Sequence, residues 1–584
     1  MLGLAVALLA LLLAGCVQLP RAGTVSSRPG QEPADQGTGS YDYQPSGPRP
    51  GATPLQIVED FLLAMQASPQ STAVARKFLT DQARTRWSPE KSTLVYDSRL
   101  VSGRDRSFRI SMQQTEQLDE RGTWLGEIGG ADGVGYDLRL AKERGEWRIS
   151  DPPDALLIPR SYFESRYQQY FVYFFDPTAR VLVPEPTYLP RGEQTPTLLV
   201  RRLLAGPHES LDGVLRTFIP GGTKYFLSVP VSPDGVAEVD MSEELLRLDQ
   251  HDREMALAQL AWTLRQVTGV ESMRVTVGGA PLEVPTAVSP QSVTSWSQYD
   301  PAVHWSSEEL FGTRNGRAVA VDPEDGAVVG RFGAQEYELR DIGVDLAGER
   351  VAGVTKDGVT VVLAPRGRAG QGPPGPEQTQ VVYSRGVDVL RPAWDVFGDV
   401  WLVDRRSDGA SVSVVRDGVA TPVEAPGLDG QDVTRFLVSR DGTRLVAVVS
   451  GRSGDRLVMA RIVRNVAGKV HRLTPATEVP LALPTGATIR DIAWRGPAGL
   501  AVLTGPTRQS SRVLMALVDG STPLSDTDTA DVLHRRAVRV VSSPSSDSSM
   551  FLQTPDGSLY ELGADGQWVG ATVRRPLQAP TFVG

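Results

Sequence analysis

A strand pattern that repeats along residues 297–584 constrains the fold more than any other feature of this 584-residue sequence. A short apolar run recurs at intervals of 44 to 56 residues, and after each one a polar turn leads to a second apolar run. Hairpin signals of the Asp-Gly type then predict a third and a fourth strand. The equivalent positions are Val344, Trp394, Val438, Trp494 and Ser542, and the hairpin turns include Asp357-Gly358, Asp417-Gly418, Asp519-Gly520, Asp556-Gly557 and Asp565-Gly566.

Four short strands in each unit of about 40–50 residues predict the blades of a β-propeller. Five units are visible, and a partial sixth lies at residues 308–332, with turns at Asn315-Gly316 and Asp325-Gly326. We therefore predict six blades; five or seven stay open as alternatives, because ring closure often splits one blade between the two ends of such a domain. Closure would remove the exposed edges that an open sheet of so many strands leaves. A Pro- and Gly-rich stretch at residues 365–378 is interpreted as an exposed insertion.

Residues 165–288 carry a mixed pattern of helices and strands, which predicts a small α+β domain. The run from Tyr170 to Phe175 is apolar on both alternating faces, so we predict a buried strand in preference to an aromatic ligand groove. Thr195-Pro196 begins a helix that Gly206-Pro207 ends, and a second helix is predicted at residues 253–268. Further strands are predicted at residues 181–183, 225–231, 236–239 and 272–277.

Residues 53–160 begin with helices and end in a series of strands, again an α+β pattern. Thr53 and Pro54 are a good N-cap and first helical residue, and an apolar stripe follows at helical spacing. A second helix is predicted at residues 74–87, and strands at residues 107–114, 123–128, 134–141 and 146–150. The order of elements resembles curved-sheet cones of the nuclear-transport-factor-2-like kind. Because this stretch has no His and no clustered acids on a strand face, we expect a scaffold role.

The first 52 residues predict export and anchoring. The apolar run from Leu2 to Leu13 is about 12 residues long, too short for a bilayer core that needs roughly 20, and small residues follow it, as in a signal peptide. Leu13, Ala14 and Gly15 stand directly before Cys16, the only cysteine of the chain. This arrangement resembles the bacterial lipobox, with a signal peptide at residues 1–15.

The lipobox resemblance implies cleavage before Cys16, with N-palmitoyl and S-diacylglycerol groups added to that residue; an ordinary signal peptide with a chance cysteine is the alternative. Residues 16–52 then form the lipidated cysteine and a flexible tether, because their Gly-, Pro- and Ser-rich composition cannot bury a core. A signal would begin with a basic residue, yet none precedes Arg21. We therefore expect the natural start to lie upstream of Met1.

Composition and motifs disfavour several functional classes. A single cysteine excludes an intramolecular disulfide, and a net charge of −9 without a basic block argues against a nucleic-acid partner. The five His are scattered, so no paired metal-ligand spacing occurs, and neither a phosphate loop nor a nucleophile elbow is present. Asp526, Asp528 and Asp531 begin like a calcium loop but lack its glycine and final glutamate, which favours a solvated loop. We predict no cofactor, no metal, no catalytic residue and no enzymatic activity.

Residues 165–288 also match a known module, GerMN, found in sporulation and germination proteins. The matching segments are Leu203 to Pro207, Ile219 to Thr223, Val236 to Asp240 and Thr268 to Val270. This resemblance implies an exported, cell-envelope domain to which no catalytic residues carry over. The whole order of lipobox, tether, α+β domain, GerMN domain at 165–288 and propeller at 297–584 is similar to the actinobacterial lipoprotein family LpqB.

The family resemblance implies a partner and a location. The partner would be the extracytoplasmic sensor domain of a histidine kinase of the MtrA–MtrB two-component system, and the protein would lie at the outer face of the cell membrane, held by lipid on Cys16. Cell-wall homeostasis and division would then depend on it. Two alternatives stay open: a cell-wall binding lipoprotein that does not signal, and a surface-anchored glycan hydrolase or lyase with its site on the propeller.

Overall fold

The structure is a computed structural model, in which Pro45–Gly584 form one compact unit. It describes residues 43–282, 289–303, 306–321, 330–333, 337–366, 379–481, 483–484, 486–505, 507–522, 530–545, 549–571 and 576–584. The predictions for the signal peptide, for Leu13, Ala14, Gly15 and Cys16, and for nearly all of the tether lie outside these residues. So do Asp325-Gly326, Asp526, Asp528 and most of the insertion at residues 365–378. No helix in the described part of the chain is long and apolar enough to cross a membrane.

The first region (residues 45–166) is α+β, as predicted. Helix α1 (Pro54–Ala64) begins with a capping box in which Thr53 and Gln56 bond each other's backbone N–H groups. The predicted apolar stripe of α1 is fully buried in the core of this region. The predicted helix at residues 74–87 is wrong as one element: it is a 3-10 turn (Ala75–Phe78) followed by α2 (Asp81–Arg86), because the Thr80 side chain caps a new helix.

Two four-stranded sheets complete the first region. Their strands are β1 (Ser92–Tyr96), β2 (Ser98–Arg104), β3 (Ser107–Gln113), β4 (Thr115–Asp119), β5 (Trp124–Ile128), β6 (Val134–Glu143), β7 (Glu146–Ile149) and β8 (Leu156–Pro159). One sheet has the order β5-β4-β1-β8, with β1 and β8 parallel, and the other has the order β2-β3-β6-β7. Short 3-10 turns lie at Pro89–Lys91 and Gly130–Asp132, and α3 (Arg160–Arg166) ends the region.

The second region (residues 167–300) is built on a long antiparallel hairpin and two helices. The elements are β9 (Tyr167–Phe175), β10 (Leu182–Pro190), α4 (Thr195–Leu204), β11 (Val236–Met241), α5 (Gln250–Leu264), β12 (Ser272–Val277), β13 (Ala280–Pro281) and β14 (Gln291–Ser292), with 3-10 turns at Glu209–Leu211, Glu243–Arg247 and Ser297–Tyr299. The aromatic run from Tyr170 to Phe175 lies in β9 and packs into the core, which confirms a strand there.

Two predictions for the second region need correction. Residues 225–231 form no strand: only isolated bridges join Tyr225 to Met241 and Val231 to Ala237, and Leu227 between them has a positive φ of 57°. Strand β11, which contains the partner residue of both bridges, also pairs in parallel with β12. The helix predicted at residues 253–268 begins earlier, because the Asp249 side chain accepts from the Asp252 N–H and caps it.

The third region (residues 306–584) is all-β and consists of antiparallel sheets, as predicted for a propeller. The described strands are β15 (Leu310–Arg314), β16 (Arg317–Val321), β17 (Leu339–Val344), β18 (Arg350–Thr355), β19 (Val361–Pro365), β20 (Gln380–Tyr383), β21 (Ala393–Trp394), β22 (Val400–Arg406), β23 (Gly409–Arg416), β24 (Val419–Pro422), β25 (Val433–Val438), β26 (Arg444–Val449), β27 (Arg456–Arg464), β28 (Val470–Leu473), β29 (Thr477–Glu478), β30 (Ile489–Trp494), β31 (Gly499–Thr504), β32 (Arg512–Leu517), β33 (Arg539–Val541), β34 (Phe551–Gln553), β35 (Leu559–Leu562), β36 (Trp568–Gly570) and β37 (Gln578–Thr581). One 3-10 turn lies at Gly330–Gly333.

These strands form six sheets within the described residues. The sheets are β16-β15-β37, β17 to β20, β21 to β24, β25 to β28 with β29 beside β27, β30 to β32, and β33 to β36. We call the strand through which each sheet contacts its neighbours around the ring its innermost strand. In order, these strands are β37, β17, β21, β25, β30 and β33, and β33 contacts β37 again, so the sheets form a closed ring. Val344, Trp394, Val438 and Trp494 each end an innermost strand, and Ser542 follows β33, which confirms that the repeated positions are equivalent.

Candidate functional site

Two charged features of the described residues are candidates for function. The first, called the joint, connects the three regions through Tyr188, Glu185, Arg444 and Arg461. The second, called the mouth, is a cavity of about 180 Å³ where the innermost propeller strands begin. No group of three or more His, Cys, Asp or Glu side chains that could hold a metal ion occurs in the described parts of the chain.

The electrostatic part of the joint is a carboxylate held by two guanidinium groups. Glu185 of β10 accepts hydrogen bonds from Arg444 Nη2 at 2.8 Å and from Arg461 Nη1 and Nη2 at 2.7 and 2.9 Å. Burial raises the pKa of Glu185, but the two arginines outweigh burial and hold that pKa below its usual value. Arg444 is fully buried and also contacts Asp441 at 3.1 Å, so the second region is ion-paired to the propeller.

Tyr188 of β10 contacts all three regions at once. Its ring packs on Trp124 and Phe163 of the first region, with centroid distances of 5.8 and 5.4 Å. Its hydroxyl donates to Ser521 Oγ of the propeller at 2.7 Å, and burial raises the pKa of the phenol. The Tyr188 N–H also donates to the Gly122 carbonyl at 2.8 Å. Tyr188, which belongs to the second region, therefore contacts both the first region and the propeller.

A buried carboxyl lies beside this tyrosine. Asp519 Oδ1 accepts from the N–H and the hydroxyl of Ser521 at 3.1 and 2.6 Å. Asp519 Oδ2 is buried without a hydrogen-bond partner among the described residues. Burial raises the pKa of Asp519 to about 6, although the bonds from Ser521 oppose that rise.

The central channel of the propeller is closed at the ends of its innermost strands. Arg440, in the turn after β25, donates from Nη1 to the Ala302 carbonyl and Ser306 Oγ at 3.1 and 2.7 Å. Its Nη2 donates to Ser543 Oγ and the Val583 carbonyl at 3.1 and 3.2 Å. Burial lowers the pKa of Arg440 to about 10. Among the described residues, Arg440 thus closes this end of the channel, and the mouth opens at the opposite end, where the strands begin.

The mouth lies at that open end and is lined by charge. Three residues before each repeated position, five successive sheets carry a charged side chain: Asp341, Arg391, Arg435, Asp491 and Arg539. Arg539 pairs with Asp341 through two bonds of 3.2 and 2.5 Å, and Arg435 Nε lies 3.3 Å from Asp491 Oδ1. These two pairs use both carboxylates of the set, and Arg391 is left over.

A third acid, Asp388, also lines the mouth. Asp388 accepts from Arg340 at 2.6 Å and from Arg405 Nε at 2.8 Å. Burial raises the pKa of Asp388, but the hydrogen bonds from these arginines lower it below its usual value. Sequence reasoning missed both the joint and the mouth. The only available signal was the charged residue that recurs at one position of each repeat.

Comparison with known proteins agrees with this architecture. Residues 47–164 match the model described as Lipoprotein LpqB, N-terminal domain, and residues 317–569 match the Lipoprotein LpqB beta-propeller domain. Between them, residues 171–283 match the model described as Sporulation and spore germination.

Curated relatives align with this chain over most of their own length. Lipoprotein LpqB of Thermobifida fusca is 27% identical over 574 residues, covering 88% of this chain and 89% of the relative. Lipoprotein LpqB of Cutibacterium acnes is 27% identical over 511 residues, covering 85% and 84%. Among solved structures, the first GerMN domain of the sporulation protein GerM from Bacillus subtilis is similar at 22% identity and a TM-score of 0.18, over 21% of this chain and 93% of that one. With two LpqB-specific domains on either side of a germination-type domain, the chain belongs to the LpqB family of lipoproteins.

Proposed function

We propose that this protein is an extracytoplasmic lipoprotein that binds the sensor domain of a two-component histidine kinase of the MtrA–MtrB type and shifts its signalling state. Through that kinase it would affect cell-wall homeostasis and division. We further propose that it carries no catalytic activity of its own. The domains run from the lipidated Cys16 and tether (16–52) through an α+β domain (53–160) and a GerMN domain (165–288) to the propeller (297–584).

Anchoring is the first step of the proposal. Lipid on Cys16 confines the protein to the membrane surface, where a sensor kinase also resides. Confinement converts the encounter into one at high effective concentration, so a modest affinity is enough for occupancy. A tether without a core leaves the folded domains free to reach a neighbouring receptor.

The joint is the observation that carries the proposal. Glu185 with its two arginines, and Tyr188 with its partners in the first region and the propeller, hold the three regions in one arrangement. A ligand shifts a receptor only by binding one of its states better than the other. A protein with fixed internal geometry can make this distinction, because it cannot adapt its surface equally well to both states.

Membrane cross-linking followed by capture of the tagged protein tests the proposal. We expect the wild-type protein to capture the kinase sensor domain from membranes. Cys16→Ala should leave the domains folded but release the protein from the membrane and lose the captured kinase. Gly15→Ala, which retains a small residue at the cleavage site, is the matched control and should behave like the wild type.

Two results would contradict the proposal. The first is a wild-type protein, present in full amount at the membrane, that captures no sensor kinase. The second is a protein that sediments with peptidoglycan while its deletion leaves kinase output unchanged, which would indicate a cell-wall binding protein instead.

A further inference from the structure

We propose that the mouth of the propeller is a binding site for a small oxyanion, a carboxylate or a phosphate group, and that Arg391 is its main contact. This proposal is independent of kinase binding. It concerns the open end of the channel, on the side of the propeller away from the joint.

The first argument is the local charge. Five arginines and three aspartates line the cavity, so its walls carry two more positive than negative charges. The chain as a whole carries a net charge of −9. A concave site of the opposite sign to the rest of the protein focuses the electric field and attracts anions.

The second argument is the state of Arg391. Each of the other four arginines of the lining has a carboxylate partner: Arg340 and Arg405 share Asp388, Arg435 has Asp491 and Arg539 has Asp341. Arg391 is half-buried and forms no hydrogen bond or ion pair with any residue that the structure describes. A guanidinium offers five N–H donors in a planar fork that matches carboxylate and phosphate oxygens. Asp491 and Asp341 act on the Arg391 charge without a hydrogen bond to it, so among the described residues this fork is left open to an acceptor from solution.

The third argument is the shape of the site. Phe436 and Leu390 form part of the wall, and a second, smaller cavity of about 40 Å³ lies between Arg391 and Arg440. Arg440 closes the far end through its four hydrogen bonds. The mouth is thus a cavity closed at its far end, and its accessible volume of about 180 Å³ is many times the ~10–15 Å³ that a single water molecule needs by the same measure. This space fits one phosphate or a small carboxylate.

Titration of the purified full-length protein tests the site. Sodium phosphate and sodium succinate are added in separate arms, with chloride at matched ionic strength as the reference, and binding is measured by calorimetry and by thermal unfolding. We expect saturable binding in at least one arm. Binding of phosphate alone assigns a phosphoryl ligand, and binding of succinate alone assigns a carboxylate. Saturation in both arms means that the site recognises the shared oxyanion.

Three variants separate the site from general charge effects. Arg391→Gln should abolish the saturable signal, and Arg391→Lys, which keeps the charge but loses the fork, should weaken it at least tenfold. Arg452→Gln is the matched control, because Arg452 is an exposed arginine outside the lining, and it should bind like the wild type. Without ligand, Arg391→Gln should unfold at the same temperature as the wild type or higher, since it removes an unpaired, half-buried charge.

The proposal is overturned by any of three results. These are the absence of saturable binding in both arms, equal affinity in the wild type and Arg391→Gln, or an equal loss of affinity in Arg452→Gln. A markedly less stable Arg391→Gln would assign Arg391 a structural role and would also contradict the proposal.

Discussion

Replacing Glu185 by glutamine should loosen the joint by a predictable amount. The change removes the charge from two charge-assisted contacts, each worth about 1.5–3 kcal/mol. Arg444 keeps Asp441 and the Pro184 carbonyl, whereas Arg461 has no other carboxylate partner in the described residues and its side chain is only 13% exposed. Because only Arg461 loses its carboxylate partner, we expect Glu185→Gln to lower the free energy of unfolding by about 2–3 kcal/mol. This is less than the ~3–5 kcal/mol that breaking a buried ion pair completely costs.

Urea unfolding, followed by tryptophan fluorescence, measures this cost. The matched control is Glu238→Gln in the second region, whose partner Arg274 is 40% exposed, so that change should cost under about 1 kcal/mol. A double-mutant cycle with Arg461→Gln should give a coupling of about 1–3 kcal/mol.

The pH dependence gives a second test of the same change. Folding lowers the pKa of Glu185. Its contribution to the free energy of unfolding is therefore fully present at any pH above the pKa that Glu185 has in the unfolded chain, and it is lost as the pH falls through the lower pKa of the folded state. The difference in free energy of unfolding between the wild type and Glu185→Gln should therefore be largest near neutral pH and should become smaller in acid. Equal unfolding midpoints for Glu185→Gln and Glu238→Gln at pH 7 would refute the role of the joint.

Two further changes test the same interface. Burial raises the pKa of Asp519 from 3.8 to about 6, so the contribution of Asp519 to wild-type stability should fall as the pH rises between these values. Asp519→Asn should remove that fall. At 1.36 kcal/mol per pKa unit, it should stabilise the protein at pH 7.5 by up to about 3 kcal/mol in thermal unfolding scans. An unchanged pH profile in Asp519→Asn would contradict the burial of this carboxyl. Tyr188→Phe keeps the ring but loses the bond to Ser521, and should cost about 1 kcal/mol in urea unfolding; no loss would mean that solvent replaces the bond.

The sequence predicted most reliably what neighbouring residues determine. The turns at Asn315-Gly316 and Asp417-Gly418 have positive φ at both residues, as the type I′ hairpin requires. The apolar stripe of α1 and the aromatic strand β9 were equally local signals, and both are confirmed. Residues 225–231 were predicted wrongly because the positive φ of Leu227 interrupts the extended backbone, so that only isolated bridges to β11 remain.

The two charged sites depended on contacts that no local pattern reveals. Glu185 lies between two prolines in β10, and its partners Arg444 and Arg461 belong to another region of the chain. At the mouth, the repeat brings five charged residues to one level. However, Arg539 and Asp341 can pair only once the ring has closed. Arg391 can be identified as the arginine without a carboxylate partner only after the pairs Arg539–Asp341 and Arg435–Asp491 are known.

The pairing of β15 with β37 also determines when the propeller can become stable. Strand β37 is synthesised after every other described strand of the ring, yet it supplies the innermost strand of the sheet that contains β15 and β16. Such a long-range contact is entropically slow to form, and until it forms β15 presents a free edge to other chains. The four residues Gln578–Thr581 thus close the ring by pairing with β15. An interruption of synthesis just before them would leave an open ring that is prone to aggregation.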